Sequence, residues 1–438
     1  MKKHLISALI CLPLFLSSCA SDINTVDLQP ENSSISTSDI KKIEAEDDFV
    51  KAQSLFKSKK GNVPDNGDVN IKIDNLVLAR RTFNNSTPMM HIDGDDAYKA
   101  MENLIDNAKK NLYIETFLFF DDETGRRIAD KLVKKKKQGI DVKVLVDSLG
   151  LRVVKTTRIY DYLKNEGIDI RIYNKLLIGI HGINITHRKI LIADGDYGIT
   201  GGMNFGNEYS KEWHDSMTEF HGEVVQDLQR EFFVNWKKSG GTVPENQPRL
   251  GDKTYGNTPM RVTVTSAHEQ DKRYQIKHSL LTLIDNAKKR VVMEGAYFSD
   301  DNLVKTLIST AKKGVDVQII MPKKGDSKVF NTINPATAKV LMKNGVKVFF
   351  YQPRFSHMKA ALIDNFAIVG SANPDARSFR ENQELNVIVE DSKFTSDLEK
   401  RLISVDLNRS SVESLDSVQV GFGQRIAQSL LEIIDYYL

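Results

Sequence analysis

His187 and Lys189 stand two residues apart in HRKILIAD (187–194), and His357 and Lys359 stand two apart in HMKAALID (357–364). In an extended chain, residues i and i+2 leave the same face, so each pair presents an imidazole beside an ammonium. Each segment ends in an aspartate, Asp194 or Asp364, and is followed by GGMN ending at Asn204 or GSAN ending at Asn373. Such a doubled set could break a phosphodiester using side chains alone. A neutral imidazole can attack phosphorus and become a phosphohistidine. A second, protonated imidazole can donate to the leaving oxygen and then take a proton from incoming water or alcohol. Lys189 and Lys359 would hold the phosphoryl oxygens as charge develops, with Asn204 and Asn373 as neutral donors. The two rings must start in opposite protonation states, which different surroundings can arrange.

Each copy is half of such a site, so the elements around them must bring two halves face to face. An internal repeat supplies those elements. LIDNAKK occurs at Leu104–Lys110 and again at Leu283–Lys289, leading into the apolar strands LYIETFLF and VVMEGAYF. Each copy continues through Asp-Asp, a helical stretch, and a glycine opening an alternating strand, GIDVKVLV at Gly139 and GVDVQIIM at Gly314. Strands alternating with helices predict two homologous α/β halves. The Gly- and Pro-rich stretch around 240–256 divides them, giving a first domain over 71–245 and a second over 246–438.

These paired HKD motifs resemble those of the phospholipase D superfamily, and YIETFLFFDDETGRRIADKL, HRKILIADGDYGITGGMN and GSANPDARSFRENQELNV resemble its bacterial cardiolipin synthase branch. The resemblance covers about residues 85–400. It implies two phospholipase D-like α-β-α sandwich halves packed around one active site, no cofactor and no metal. It implies a phosphatidyltransferase or phospholipase D acting on a phospholipid, with a glycerol-type alcohol as acceptor in the cardiolipin synthase-like case. It favours His187 as nucleophile and His357 as acid/base, and gives Asp194 and Asp364 a supporting role away from the phosphate. Two departures stand out. A lipobox-like segment occupies the place where membrane-spanning helices usually begin, and the hairpin after Asp364 is one residue shorter than that after Asp194.

Each histidine needs an acceptor on its other ring nitrogen. Asp215 lies 28 residues after His187, and Glu384 lies 27 after His357, the shorter hairpin explaining the difference. Related enzymes place a carboxylate there, so Asp215 and Glu384 are expected to orient the imidazoles. Glu115 and Glu294 hold matching strand positions, either lining the pocket near the cations or packing on a buried donor. Tyr297 is either a core aromatic or a headgroup contact, and His214, beside Asp215, is expected near the site. The eight extra residues before His187 include LLIGIHGI, which either contacts lipid or packs on its own domain. The basic run from Lys134 reads as a solvated helix end, or as a contact for anionic lipid. The C-terminal RIAQSLLEIIDYYL reads as a docked helix.

The N-terminus carries Lys2 and Lys3, an apolar stretch from Leu5 to Leu16, then LSSC ending at Cys19. This is the pattern of a secretory signal, and LSSC resembles a bacterial lipobox with cleavage after residue 18 and lipidation of Cys19. Residues 19–70, rich in Ser, Asp, Asn and Lys, read as a flexible tether containing one short helical stretch. The only other cysteine, Cys11, falls within the signal, so neither a disulfide nor a cysteine metal site is expected. Lipid chains on Cys19 would tie the enzyme to a membrane surface. By resemblance to lipoprotein sorting, Ala20 after the cysteine points to a cell-envelope lipoprotein of the outer membrane, facing the periplasm. The net charge of +3 argues against nucleic acid as partner. The competing readings are a purely hydrolytic phospholipase D, a nuclease or other phosphodiesterase of the same superfamily, and a non-catalytic scaffold. Two complete motif sets oppose the last. Nothing in the sequence specifies an oligomeric state.

Overall fold

The computed structural model describes residues 36–60, 67–154, 156–174, 184–268, 271–327, 329–415 and 418. The signal and Cys19, the LLIGIHGI segment and the C-terminal RIAQSLLEIIDYYL lie outside these residues. Two mixed sheets face each other. The first runs, edge to edge, Met89–Ile92, Ser216–His221, Tyr197–Gly201, Ile190–Ala193, Asn111–Thr116, Asp141–Asp147 and Asp169–Tyr173. The second repeats that order with Met260–Ser266, Glu384–Glu390, Phe366–Gly370, Lys359–Ile363, Arg290–Gly295, Asp316–Pro322 and Lys347–Tyr351. The two sheets therefore belong to two homologous α/β halves. In each, the strand after the histidine-lysine pair is central and antiparallel to the strand carrying Glu115 or Glu294. A central strand is buried on both faces, which explains the unbroken runs ILIA and KAALI.

Three apolar cores result. Outer helices Asp93–Asn107 and Glu123–Lys137 cover the first sheet through Leu104, Ile128 and Leu132. Helices Gln275–Asn286 and Asp301–Lys312 cover the second through Leu281, Leu303 and Leu307. Between the sheets, helix Glu223–Lys238 and the segment 392–408 join both halves in one core containing Tyr113, Phe232, Trp236, Val262, Phe394 and Leu402. This shared layer fixes one half against the other. The basic run closes helix Glu123–Lys137, and the Lys135 ammonium donates to the carbonyls of Asp106 (2.6 Å) and Ala108 (3.1 Å). No helix among the described residues is long and apolar enough to cross a membrane.

The tether expectation is corrected for residues 37–60. They form helices Thr37–Glu44 and Phe49–Lys60, with Ile40, Ile43, Phe49 and Ala52 buried against the second half. Their apolar residues recur at helical spacing, so ordering is offset by burial. Buried Glu44 adds a polar lock, accepting from the Leu78 amide (2.8 Å) and Gln275 (3.0 Å). Helix Val69–Asp74 and strand Arg81–Thr82 also join the second half, pairing Arg81 with Arg261. Among the described residues, 37–82 thus lie on the second half and precede the first, so residues 71–82 do not belong with the first sheet.

Candidate active site

Both motif aspartates sit at the far end of their hairpins. Asp194 and Asp364 adopt positive φ (56° and 49°), turning the strand so that the carboxylate points back into the sheet. The Asp194 carboxylate accepts from the amides of Lys109, Lys110 and Asn111, and Asp364 from those of Lys288, Lys289 and Arg290. These donors are the ends of the repeated LIDNAKK segments. The aspartates therefore pin helix to strand.

At the other end, the halves meet through backbone. The His187 amide donates to the Gln383 carbonyl (2.9 Å), and the His357 amide donates to the His214 carbonyl (2.7 Å). Each histidine is thereby laid beside the residue preceding the acid of the opposite half. His187 Nδ1 donates to Glu384 at 2.9 Å, and His357 Nδ1 donates to Asp215 at 2.7 Å. The acids found by counting are both present, but they are exchanged. With Nδ1 carrying the proton, Nε2 of each ring holds its lone pair for chemistry.

Each acid has its own support. Glu384 accepts from Ser371 (2.5 Å), Ser378 (3.0 Å) and Asn382 (3.3 Å). Asp215 accepts from the Ser216 amide (2.8 Å) and packs on Gly202, where a Cβ would stand 2.2 Å from Oδ1. The strand glutamates hold the residue before each histidine: Glu115 accepts from Thr186 and Asn235, and Glu294 from Ser356 at 2.7 Å. They anchor the strands that carry the motif histidines. Of the hydroxyls at 186, 356, 371 and 378, three carry a sequence signal, a Thr or Ser directly before each motif histidine and a Ser within GSAN, and Ser378 carries none.

Lys189 and Lys359 fold over their own histidines, each ammonium donating to that residue's carbonyl at 2.6 Å. Lys359 Nζ also reaches His357 Nε2 at 3.2 Å. Asn204 spends its carbonyl on the Leu118 amide (2.9 Å), leaving its amide nitrogen without a partner. Asn373 Oδ1 is likewise buried and unpartnered. Phe117 lies edge-on to His187, and Tyr209, Trp213 and Phe355 surround His357.

Burial dominates the electrostatics. It pushes His357 down to about 3, helped by Lys359 and opposed by Asp215. His187 is lowered for the same reason, with Glu384 opposing and Lys189 assisting. Burial likewise pushes Lys189 down to about 7 and lowers Lys359. For Glu384, burial alone would raise the carboxyl, but His187 and Lys189 hold it below its usual range. Burial thus holds two imidazoles and two ammonium groups toward their neutral forms, and an anion placed among them would favour their charged forms.

Beneath His357, buried His214 donates from Nδ1 to Asp93 (2.7 Å) and from Nε2 to Asp406 (2.9 Å), joining both halves. Burial opposes its charge, but the two carboxylates prevail and raise its pKa to about 11. Burial pushes neighbouring Glu294 up to about 8, with Asp406 adding to the effect. His214, Glu294 and Asp406 place ligand atoms within 4.8 Å of one another. With both ring nitrogens engaged by carboxylates, His214 sits there as an imidazolium.

The comparisons agree with this architecture. The family described as "Cardiolipin synthase, PLD-like domain" matches residues 101–236 and again 280–405. The chain is 33% identical over 326 residues to cardiolipin synthase 1 of Staphylococcus aureus (strain MRSA252), covering 70% of this chain and 64% of that protein. It is 32% identical over 321 residues to the cardiolipin synthase of Listeria welshimeri, covering 71% and 67%. The chain thus spans about two thirds of these relatives' length. Among solved structures, phosphatidylserine synthase of Haemophilus influenzae Rd KW20 shares the fold, with TM-score 0.60, 15% identity, and coverage of 80% of this chain and 93% of that one. Two matched domains, the paired motifs and these relatives together show that the chain belongs to the phospholipase D superfamily and is related to its cardiolipin synthase branch.

Proposed function

We propose that the protein is a phosphatidyltransferase of cardiolipin synthase-like type, working through a phosphohistidine on His187. The observation that carries this reading is the crossed pair of buried dyads, His187–Glu384 and His357–Asp215, with a lysine ammonium held on the backbone carbonyl of each histidine. His187 Nε2 attacks the donor phosphorus. The bond to the headgroup oxygen breaks, and that oxygen takes a proton from His357. As His187 becomes positive, Glu384 stabilises it. Lys189 and Lys359 meet the phosphoryl oxygens, and the spare Asn204 amide adds a donor. An incoming alcohol then gives its proton to His357 and attacks phosphorus, and the phosphorus–nitrogen bond returns its electron pair to His187. Arrival of the anionic diester favours protonation of His357, which burial and Lys359 disfavour. Water as acceptor gives the hydrolytic phospholipase D outcome with the same groups.

Lipidation of Cys19, with placement at the outer membrane facing the periplasm, is the membrane half of the proposal, supported by the LSSC segment alone. The test is an assay of detergent-purified protein on phosphatidylglycerol and phosphatidylethanolamine vesicles, with EDTA, with and without glycerol, read by mass spectrometry. Cardiolipin or phosphatidylglycerol newly made from glycerol is expected. Phosphatidic acid alone would make it a hydrolase. No lipid turnover, with cleavage of another phosphodiester such as DNA, would overturn the lipid reading.

A further inference from the structure

Beneath His357, three acids crowd two cations. His214 donates to Asp93 (2.7 Å) and to Asp406 (2.9 Å), and Arg354 ion-pairs with Asp93. Glu294 is the third acid, with a carboxylate oxygen within 4.8 Å of both His214 and Asp406. Glu294 and Asp406 are 2% and 0% exposed, and each has one oxygen engaged, by Ser356 (2.7 Å) and by His214. Their other oxygens, Glu294 Oε2 and Asp406 Oδ1, are buried without a donor. Two ionised carboxylates so placed repel, and a buried acceptor with no donor is costly. One proton between them removes both problems and balances the charge of the five groups. The first half meets the same need with an amide. Its Glu115 holds Thr186, as Glu294 holds Ser356, and takes a further hydrogen bond from Asn235 at 2.7 Å. Asn235 lies on the inter-sheet helix Glu223–Lys238 and Asp406 on the inter-sheet helix Ser404–Asn408. Where the first half presents an N–H, the second presents an acid, which can bond to a glutamate only through a proton.

We propose that Glu294 and Asp406 share one proton, and that with His214 they form a positioning network for His357 and Asp215. The network grips this dyad at several points. The His214 carbonyl accepts from the His357 amide (2.7 Å), and the Asp93 amide donates to the Asp215 carbonyl (2.8 Å). Asp215, next to His214, accepts from His357 Nδ1, and Glu294 holds Ser356, the residue before His357. Of the charged groups, Asp406 opposes ionisation of Glu294 and His214 favours it, with Asp93 and Arg354 beyond His214. On the flanking strands its neighbours Ile320 and Ala360 are apolar. Loss of the proton sets two carboxylates against each other beside the dyad. The positioning role rests on His357 as acid/base in the phosphatidyltransferase reading; the shared proton does not.

Three measurements on the full-length protein test this. Burial pushes Glu294 up to about 8 from its usual 4.5, with Asp406 adding and His214 opposing. A neutral carboxyl absorbs in the infrared where carboxylates do not. The difference spectrum between the unsubstituted protein and Glu294→Gln should show one such band at pH 7, largely lost at pH 9. Absence of the band, or stoichiometric metal in the purified protein, overturns the shared proton. Glu294→Gln keeps the shape and a hydrogen of the neutral acid, so its failure to fold also overturns it. In denaturant unfolding, a carboxyl raised from 4.5 to about 8 stabilises below 4.5 and loses that contribution as pH climbs through 8. The stability of Glu294→Gln relative to the unsubstituted protein should therefore rise between pH 5 and 8, and a flat difference overturns the proposal. In turnover, Glu294→Ala should lower kcat at pH 7 about 100-fold and Glu294→Gln should recover most of it. The Gln amide cannot ionise, whereas a group near 8 is about nine-tenths ionised at pH 9. The kcat of Glu294→Gln relative to the unsubstituted protein should rise about tenfold from pH 7 to 9, and an unchanged ratio overturns the positioning role. If no phospholipid is consumed at all, the transferase reading fails, and the infrared and unfolding measurements still decide the shared proton.

Discussion

The crossed pairing makes a prediction that pairing within each half does not. Glu384→Gln removes an anion 2.9 Å from His187 Nδ1. The amide can keep its oxygen toward Nδ1 and turn its nitrogen toward Ser371, so geometry survives while charge is lost. His187 becomes positive on phosphorylation. With charge centres about 4 Å apart and an effective dielectric near 20, the lost attraction is about 4 kcal/mol, or about 10³-fold in the rate of phosphoenzyme formation. Asp215→Asn acts differently. Oδ1 is held by the Ser216 amide and crowded by Gly202, so the new NH₂ faces His357 Nδ1 and forces the other tautomer. His357 then fails as acid and as base. The assay is rapid-quench kinetics with two donors, a natural phospholipid and an analogue with a nitrophenolate leaving group that needs no proton. Phosphoenzyme formation from the analogue should be near normal in Asp215→Asn and still about 10³-fold slow in Glu384→Gln. The reverse pattern would refute the assignment of Glu384 to the nucleophile.

Further outcomes follow from the same geometry. Asp194→Ala removes an acceptor of three backbone amides and should cost about 3 kcal/mol in denaturant unfolding, with kcat per folded molecule largely kept. Gly202→Ala drives a Cβ into the Asp215 carboxylate and should lower kcat at least about 100-fold with little change in unfolding midpoint. Burial pushes Lys189 down to about 7, and a bound anion would raise it. Binding of tungstate therefore takes up protons above pH 7, so its Kd should rise from pH 7 to 9 in calorimetry. For His214 the folded pKa, about 11, lies above the unfolded value of about 6.5. Its contribution is complete below about 6.5 and is lost as pH climbs toward 11. Unfolding free energy should fall between pH 7 and 10, and the slope should shrink in His214→Gln.

Much of this protein is legible in one dimension. The duplicated LIDNAKK, the two H-x-K-x-x-x-x-D segments and the apolar runs after them are local patterns, and strand periodicity turns their spacing into shared faces without reference to the rest of the chain. Counting from each histidine reaches an acid at 28 and at 27 residues because the halves are copies. Counting within a half cannot show that the acids are exchanged. That follows from two backbone hydrogen bonds across the interface, between His187 and Gln383 and between His357 and His214, which exist only when the sheets face each other. The same holds for residues 37–60, whose polar composition suggested a tether: their few apolar side chains find a home only on a surface made by residues 276–307. His214 belongs to this second kind. Its partners come from positions 93, 351 and 406, and the two carboxylates that hold its charge reach it only in the assembled core.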